Sequence, residues 1–448
     1  MQPAGPAAAP LFIGIDVGTS GVRAVALRDD GTLAGQARVP LPPPRREGAR
    51  VTQAPACWWE ALAQALQALL AQVPASAVVA LAVDGTSGTL LLADAEGRPL
   101  SDGWLYNEAS CEAEAARIAA VAPADSAARG VASPLARLLH LQQRHPDAAH
   151  ALHQADWLAG RLSGRWGLAD ENNVLKLGYD VLQRRWPDWL DALGARRALL
   201  PLVQPPGQAI GPITPAVAAE FGLPPTVLVA SGTTDGVAAF LATGAHEIGD
   251  AVTSLGTTLV LKLLSDRPVF APAYGIYSHR LGDRWLPGGA SNSGGAALLQ
   301  FFSAEQMQAL TPALQPEVPT GLAYYPLPGP GERFPVSDAR LQPRLSPRPD
   351  DDRLFFQGLL EGVAAVERLA YDRLQELGAP ALRRVYSVGG GAANAAWGRI
   401  RERTLGVPVL APPHDEAAVG TAGLARQAWH ERQAATQGQA GAPAGAAP

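Results

Sequence analysis

The chain has 448 residues, 47% of them hydrophobic and 17% charged, so it is long enough to bury a sizeable core and to form about two to three domains. Its 36 basic and 41 acidic residues leave a net charge of −5, which gives no electrostatic reason to expect a nucleic-acid or membrane partner. Two cysteines exclude a disulfide framework. With no positive signal-peptide region and no uninterrupted apolar span, we expect a cytoplasmic protein.

In chain order, three segments repeat one pattern: a buried apolar strand, a polar turn containing glycine, and a second strand. They are residues 11–27, 78–93 and 251–264. Helical periodicity predicts helices at residues 58–72, 109–121, 135–144, 216–221, 235–243 and 353–377. The last of these is amphipathic, with Glu367 among its polar positions. Mixed strands and helices predict an α/β fold, and hairpins half a chain apart indicate two duplicated halves.

The two ends of the sequence differ in composition from the rest. Residues 1–10 and 433–448 are rich in alanine, glycine, proline and glutamine, and we expect both to be disordered tails. Between them, the boundary falls just ahead of the last hairpin. This predicts a first lobe at 11–245 and a second lobe at 246–432.

Several common enzyme motifs are absent from the sequence. Its two lysines, Lys176 and Lys262, do not follow a glycine, so the sequence contains no Walker-type phosphate-binding loop. The nearest approach to a dinucleotide-binding pattern has Asn394 where the third glycine should stand. The sequence also lacks the nucleophile elbow of serine hydrolases and the His-Glu-x-x-His helix of zinc proteases.

The turns of the first and last hairpins have the composition of phosphate-binding loops. Their residues are Asp16, Gly18, Thr19, Ser20 and Gly21 in the first turn, and Gly256 and Thr257 in the second. Glycine lets a phosphate approach the backbone amides, and an aspartate holds Mg²⁺ directly or through water. Either turn alone is better explained as an ordinary hairpin. Because each predicted lobe has one such turn, the pair favours a nucleotide whose phosphates contact both lobes.

Asp235 stands where an apolar strand, 227–230, runs through the polar residues 231–234 into a helix. An aspartate there complements the helix dipole, which explains it as a structural residue. The position also suits a carboxylate that accepts the proton of a substrate hydroxyl attacking a γ-phosphoryl group. The pattern alone leaves both interpretations open.

Glycine clusters in the second lobe lie at predicted strand-to-helix turns. They include Gly294, Gly390 and Gly391, followed by Asn394 and Trp397. Such turns let a purine or phosphate lie against bare backbone. Tight packing of helix on sheet explains them equally well. In the first lobe, the polar run 84–89 suits either the hydroxyls of a sugar or a solvent-facing turn.

Together these motifs resemble those of the FGGY carbohydrate kinases. The resemblance covers residues 11–428 and rests on five motifs in the family's order, at 16–21, 231–235, 253–258, 389–394 and 416–420. Four further segments, at 84–89, 105–107, 173–179 and 324–328, are most similar to the D-ribulose kinase branch. The resemblance implies a two-lobe actin-like ATPase fold, with ribonuclease-H-like lobes and a central cleft. It implies transfer of a phosphoryl group from ATP to D-ribulose, with Mg²⁺, giving D-ribulose 5-phosphate and ADP.

The resemblance also implies roles for individual residues. Asp235 would be the general base on the sugar's terminal hydroxyl, and Asp16 would contact substrate and Mg²⁺. The other first-lobe contacts would be Thr19, Ser20 and Gly21 near the transferred phosphoryl group. Thr19 would also lie near the sugar, and Ser87 would hydrogen-bond the ketose. The second-lobe contacts would be Gly256 and Thr257 on phosphates, Gly294 on the nucleotide, and Gly390, Gly391, Asn394 and Trp397 around the adenosine.

Three departures from the family pattern bear on this interpretation. Ala393 stands where the triple-glycine motif usually continues with lysine, and Arg137 stands where a first-lobe signature has lysine. Residues 105–110 differ from the segment associated with xylulose kinases, which makes D-xylulose the second choice. The same motifs are compatible with a kinase for L-ribulose or glycerol, with an actin-like nucleotide-binding protein that phosphorylates no small molecule, and with a sensor without catalysis. We expect a monomer or homodimer without nucleic-acid or membrane partners.

Overall fold

The structure is a computed structural model that describes residues 9–440. Its strands are β1 (Leu11–Val17), β2 (Gly21–Arg28), β3 (Leu33–Pro40), β4 (Arg45–Glu47), β5 (Arg50–Gln53), β6 (Val78–Gly85), β7 (Leu90–Ala93), β8 (Gly103–Trp104), β9 (His150–His153), β10 (Leu168–Asp170), β11 (Leu202–Gln204), β12 (Ala209–Pro212), β13 (Leu228–Ala230), β14 (Asp250–Leu255), β15 (Leu259–Leu263), β16 (Tyr277–Leu281), β17 (Arg284–Ser291), β18 (Arg384–Val388) and β19 (Val409–Leu410). Its α-helices are α1 (Pro55–Leu70), α2 (Glu112–Val121), α3 (Pro134–Leu141), α4 (Gln154–Ser163), α5 (Trp189–Ala192), α6 (Pro215–Phe221), α7 (Asp235–Ala242), α8 (Gly295–Leu298), α9 (Ala304–Leu310), α10 (Asp352–Glu376), α11 (Ala395–Leu405) and α12 (Ala417–Ala440).

The described residues form two compact units, which separate after Ala242 and again after Asp415. The second unit is Thr243–Asp415, and the chain then returns to the first unit through α12. The predicted consecutive lobes, 11–245 and 246–432, differ from this because they place α12 in the second lobe. An apolar stripe shows that a helix packs on a sheet, but it does not show which sheet.

The first unit is built on a six-stranded sheet in the order β12-β13-β6-β1-β2-β3. Strand β1 pairs antiparallel with β2 and parallel with β6, and β6 pairs parallel with β13. Every residue of β1 is buried, as expected of a central strand covered on both faces. A five-stranded sheet, β4-β5-β8-β7-β9, and the pair β10-β11 belong to the same unit.

Helices α1 and α12 cover opposite faces of the six-stranded sheet. Successive side chains of a strand point to opposite sides, and two neighbouring residues of β1 pack against different helices. Ile13 belongs to the same core cluster as the buried residues of α1. Phe12, which faces the other way, packs edge-to-face on Trp429 of α12 with ring centres 5.7 Å apart. A Cβ on Gly14 would lie 1.9 Å from the Ala418 carbonyl oxygen. Glycine at that position is therefore what lets α12 approach the sheet.

Five strands of the second unit repeat the order of the first unit around its own hairpin, and the sixth strand of each sheet lies at a different edge. The six-stranded sheet of the second unit is β16-β17-β15-β14-β18-β19, with β14 antiparallel to β15 and parallel to β18. In both units the hairpin is followed across the sheet by two parallel strands, β6 with β13 and β18 with β19. Each unit also has its own apolar core. The repeated order supports the predicted duplication.

Two expectations from the sequence are wrong. Residues 78–93 do not form a hairpin, because β6 joins the six-stranded sheet and β7 joins the five-stranded sheet. Glu367, assigned to a polar face, is fully buried on α10 and forms an ion pair with Arg401 at 2.7 Å. A hydrophobic pattern cannot separate a solvated charge from a buried charge whose partner comes from a distant part of the chain.

The predicted helices are all present, with ends shifted by at most three residues. Helix α12 continues to Ala440, past position 433 where a tail was expected, because its alanine and glutamine residues favour helix. Residues 1–8 and 441–448, which belong to the two predicted tails, lie outside the described residues. None of the described helices has the length and apolar character needed to cross a bilayer.

Candidate active site

The first candidate site lies at the carboxyl ends of three neighbouring parallel strands of the first unit. In the order β13-β6-β1, these strands lead to or contain Asp235, Asp84 and Asp16. Asp16 lies opposite Asp84 in the strand register, and Thr234 forms a parallel bridge with Gly85. The fold thus brings Asp16 and Asp235, which are far apart in sequence, together around Asp84.

Asp84 is the centre of this carboxylate cluster, and it is fully buried. Burial, followed by the negative charges of Asp16 and Asp235, raises the pKa of the Asp84 carboxyl well above its ordinary range. The Thr421 hydroxyl, on α12, donates a hydrogen bond to the same carboxyl. These surroundings favour the neutral form of Asp84. Two interpretations of the polar run 84–89 were offered above, a solvent-facing turn and a sugar-binding loop. Neither describes its first residue, because Asp84 lies inside the protein.

Asp16 is buried and is held by an arginine from the neighbouring strand. Arg23 donates from Nη1 to Asp16 Oδ2 at 2.8 Å, and its Nε lies 3.1 Å from Glu416 Oε2. Glu416 belongs to one of the motifs on which the family resemblance rested. The pairing fixes the Asp16 carboxylate at the start of the first hairpin turn.

The first hairpin turn presents its hydroxyl side chains away from the core. Its backbone closes through the Gly18 N–H, which donates to the Gly21 carbonyl oxygen at 3.0 Å. Thr19 is half-buried and Ser20 is exposed. Gly21 is buried against β3, where a Cβ would lie 2.9 Å from the Val39 carbonyl oxygen. Thr19 and Ser20 can therefore meet a ligand, whereas Gly21 shapes the turn.

Asp235 is half-buried at the first position of α7. Its Oδ1 accepts a hydrogen bond from the Gly236 N–H at 2.7 Å, and the Thr234 carbonyl accepts from the next two helical amides. The carboxylate thus interacts with the start of the helix, as the structural interpretation required. Its negative charge also acts on the Asp84 carboxyl, so Asp235 belongs to the same carboxylate cluster.

Three polar residues near these loops received no role from the sequence, although the structure connects them to the site. Lys176 donates from Nζ to Ser87 Oγ at 3.2 Å, and Asn172 donates from Nδ2 to Thr233 Oγ1 at 3.1 Å. The third is Arg137. The rarity of lysine, two in the whole chain, is a signal that could have drawn attention to Lys176. Nothing local distinguishes Asn172.

Arg137 is fully buried and ties together loops that are separate in sequence. It donates to the backbone carbonyls of Gly88, Tyr106, Glu108 and Ala132, the last three at 3.0, 3.2 and 2.8 Å. Burial lowers the pKa of its guanidinium to about 10. Because one guanidinium carries five donors in a planar fork, it can serve several carbonyls at once, which a lysine ammonium does less well.

The second candidate site is a cavity of about 630 Å³ in the second unit. Six of the residues implied to bind nucleotide line it: Gly256, Thr257, Gly390, Gly391, Asn394 and Trp397. The remaining lining is largely apolar and includes Met307 and Phe356, as well as Ala393. A cavity of this size with apolar walls and exposed glycine backbone suits a purine nucleotide.

Three of the residues predicted to bind nucleotide have structural contacts of their own. Gly294 does not line the cavity; it supports the hairpin, since a Cβ there would lie 2.9 Å from the Thr257 carbonyl oxygen. Asn394 caps α11 by accepting from the Trp397 N–H at 3.0 Å. The Trp397 indole N–H donates to the Leu360 carbonyl at 3.2 Å, so this side chain forms a wall rather than a polar contact.

Solved structures of similar architecture define the class to which this fold belongs. A protein from Brucella ovis described as a xyloylose kinase matches with a TM-score of 0.84 and 27% identity, over 94% of this chain and 91% of that one. A xylulose kinase from Lactobacillus acidophilus, 17% identical, matches in fold with a TM-score of 0.82 over 95% and 90%. The fold is therefore the two-domain α/β fold of sugar kinases and actin-like ATPases.

The chain belongs to the FGGY family of carbohydrate kinases. The N-terminal domain model of that family matches residues 11–242 and the C-terminal domain model matches residues 251–429. The xylulose kinase of Escherichia coli K12 is 28% identical over 288 residues, which are 61% of this chain and 59% of that protein. The xylulose kinase of Streptomyces coelicolor is 27% identical over 440 residues, 93% of this chain and 87% of that protein. The family resemblance seen in the sequence is confirmed.

Proposed function

We propose that the protein is an ATP-dependent kinase that phosphorylates the terminal hydroxyl of D-ribulose, giving D-ribulose 5-phosphate and ADP. The observation that carries the proposal is the meeting of Asp16 and Asp235 around the buried Asp84 in the first unit. Carboxylates at the ends of parallel strands suit an acceptor site. The cavity in the second unit suits ATP, the phosphoryl donor that kinases of this family use.

In this proposal Asp235 is the general base. It accepts the proton of the sugar's terminal hydroxyl while the oxygen attacks the γ-phosphorus, and the bond from that phosphorus to ADP breaks. The hydrogen bond from the Gly236 amide holds its Oδ1 at the start of α7. Burial raises the pKa of the Asp84 carboxyl, which weakens the tendency of this third carboxyl to carry a negative charge near the incoming phosphoryl group.

Asp16 is the residue proposed to hold Mg²⁺, directly or through water. Its carboxylate offers the hard oxygen donors that this ion prefers, so the residues present fit the metal. When bound, Mg²⁺ would neutralise charge on the transferred phosphoryl group. Thr19 and Ser20, on the outward side of the adjoining turn, are proposed to donate to phosphate oxygens.

D-Xylulose is the second candidate substrate, and it is favoured by the names of relatives in Escherichia coli and Streptomyces coelicolor. D-Ribulose is favoured by residues 84–89 and by residues 105–110, which lack the xylulose kinase pattern. The two sugars differ only in the configuration at one carbon. The cytoplasmic location and the monomeric or dimeric state stay predictions.

The test is ADP release by the purified protein with D-ribulose, D-xylulose, L-ribulose and glycerol, each at saturating ATP and Mg²⁺. We expect the highest kcat/KM with D-ribulose and a kcat lowered by about a hundredfold or more in an Asp235→Asn control. A higher kcat/KM with D-xylulose would assign the protein to the second candidate. ATP hydrolysis that no sugar changes would instead identify an actin-like nucleotide-binding protein without kinase activity.

A further inference from the structure

One short segment of the first unit contacts both loops of the proposed acceptor site. This is the 170–178 segment, which begins at the last residue of β10. Near its start, Asn172 donates to Thr233, two residues before the proposed base, Asp235. Near its end, Lys176 donates to Ser87 at the tip of the loop after β6. The segment therefore spans from the base to the residue that the resemblance placed on the ketose.

The backbone of Lys176 is fixed at both sides of the residue. It lies in a one-turn 3₁₀ helix, Val174–Leu177, which ends at Gly178 with a left-handed φ of 101°. The Ser133 hydroxyl donates to the Lys176 carbonyl oxygen at 3.2 Å and also caps α3. These contacts determine where the half-buried side chain starts, so the ammonium reaches the Ser87 hydroxyl from a defined direction.

The chemistry of the Lys176–Ser87 pair selects for one kind of ligand atom. An ammonium is only a donor, so Ser87 Oγ must be the acceptor in their contact. The serine's own proton is then directed to another acceptor, and the nearby positive charge strengthens that donation. A carbonyl oxygen is an acceptor only, which matches such a donor. A hydroxyl group satisfies it less well, because its own proton then needs a separate partner.

We propose that Lys176 is a positioning residue for substrate recognition: through Ser87 it creates a charge-assisted donor for the carbonyl oxygen of a ketose. This inference rests on the proposed function and extends it by naming the feature of the substrate that is read. It implies that the site prefers a ketose to the polyol of the same carbon skeleton.

The experiment compares Lys176→Met with Lys262→Met, which removes the other lysine of the chain, from β15 in the second unit. The measurements are kcat and KM for D-ribulose, KM for ATP, the inhibition constant of ribitol against D-ribulose, and Tm. For Lys176→Met we expect the KM for D-ribulose to rise by about tenfold to a hundredfold, the range for one charge-assisted hydrogen bond. The KM for ATP, the ribitol constant and Tm should stay at wild-type values, and Lys262→Met should match wild type throughout.

A double-mutant cycle with Ser87→Ala separates this role from a merely structural one. Because the two side chains act as a unit, the double variant should be no worse for D-ribulose than the more damaging single variant. Additive losses would overturn the inference, and so would an unchanged KM for D-ribulose or equal weakening of ribitol. If Lys176→Met lowers Tm by more than a few degrees, Lys176→Gln, which is also uncharged, takes its place in the same comparison.

The outcome also distinguishes this inference from the proposed function on which it rests. Wild-type protein that phosphorylates no sugar would refute the proposed function, and ketose recognition with it. Wild-type protein that phosphorylates D-ribulose, with Lys176→Met at the same KM, would refute only the role of Lys176.

Discussion

Asp170, at the start of the 170–178 segment, gives a prediction about stability that can be worked out from its surroundings. The residue is buried, and its Oδ1 accepts from the amides of Asn172 and Asn173 at 2.8 and 3.2 Å. Its Oδ2 accepts from the Asn173 side chain at 2.5 Å. Burial, followed by the negative charge of Asp156, raises the pKa of the Asp170 carboxyl to about 7. These surroundings therefore disfavour the charged form of Asp170.

The sign of the effect follows from proton binding. Between about pH 4 and pH 7 the unfolded chain has lost this proton and the native protein still holds it, so stability falls as pH rises through that window. A shift of this size corresponds to a loss of about 4 kcal/mol, all of it present above pH 7. Asp170→Asn removes the titration. The Asn173 side chain can rotate to present its oxygen, which has no partner among the described residues, to the new amide.

We expect Asp170→Asn to flatten the dependence of stability on pH and to stabilise the first unit at pH 8 by about 2 to 4 kcal/mol. Scanning calorimetry should show a Tm for that unit raised by about 5 to 10 °C at pH 8 and by less than half as much at pH 5, where only part of the effect of the shifted pKa is present. Asp180→Asn is the matched control, because Asp180 accepts from two amides in a similar but solvent-exposed turn. An Asp170→Asn protein that is less stable than wild type at pH 8, or equally sensitive to pH, would refute the reasoning.

Three further substitutions test the two candidate sites. Asp235→Asn should lower kcat by about 10² to 10⁴-fold with Tm unchanged, as measured by ADP release, and turnover near wild type would remove Asp235 from the role of base. Arg137→Met should destabilise the protein by about 3 to 5 kcal/mol in chemical unfolding, since it leaves buried carbonyls without a donor; a loss under about 1 kcal/mol would show that water replaces it. Gly391→Val should raise the KM for ATP about tenfold without changing that for the sugar, because a Cβ at that position would lie 2.6 Å from the Trp397 ring. An equal rise for both substrates would contradict the placement of Gly391 at the nucleotide.

The sequence by itself determined those features that depend on neighbours along the chain. The hairpin turns at 16–21 and 256–258 and the strand-to-helix turn before Asp235 were predicted from local composition. The same holds for the helices, since periodicity reports which face of each is buried. Most of the residues predicted to bind nucleotide in the second unit, such as Asn394, were recognisable as a motif and line one cavity.

Tertiary structure alone decided which of these local features belong together. It placed α12 on the first sheet through the close approach at Gly14, and it divided residues 78–93 between two sheets. It also made Asp84 the buried centre of the acidic cluster and brought Lys176 to Ser87. The physical reason is the same in each case. Strand pairing and the burial of polar groups depend on partners remote in sequence, and a local pattern contains no record of them.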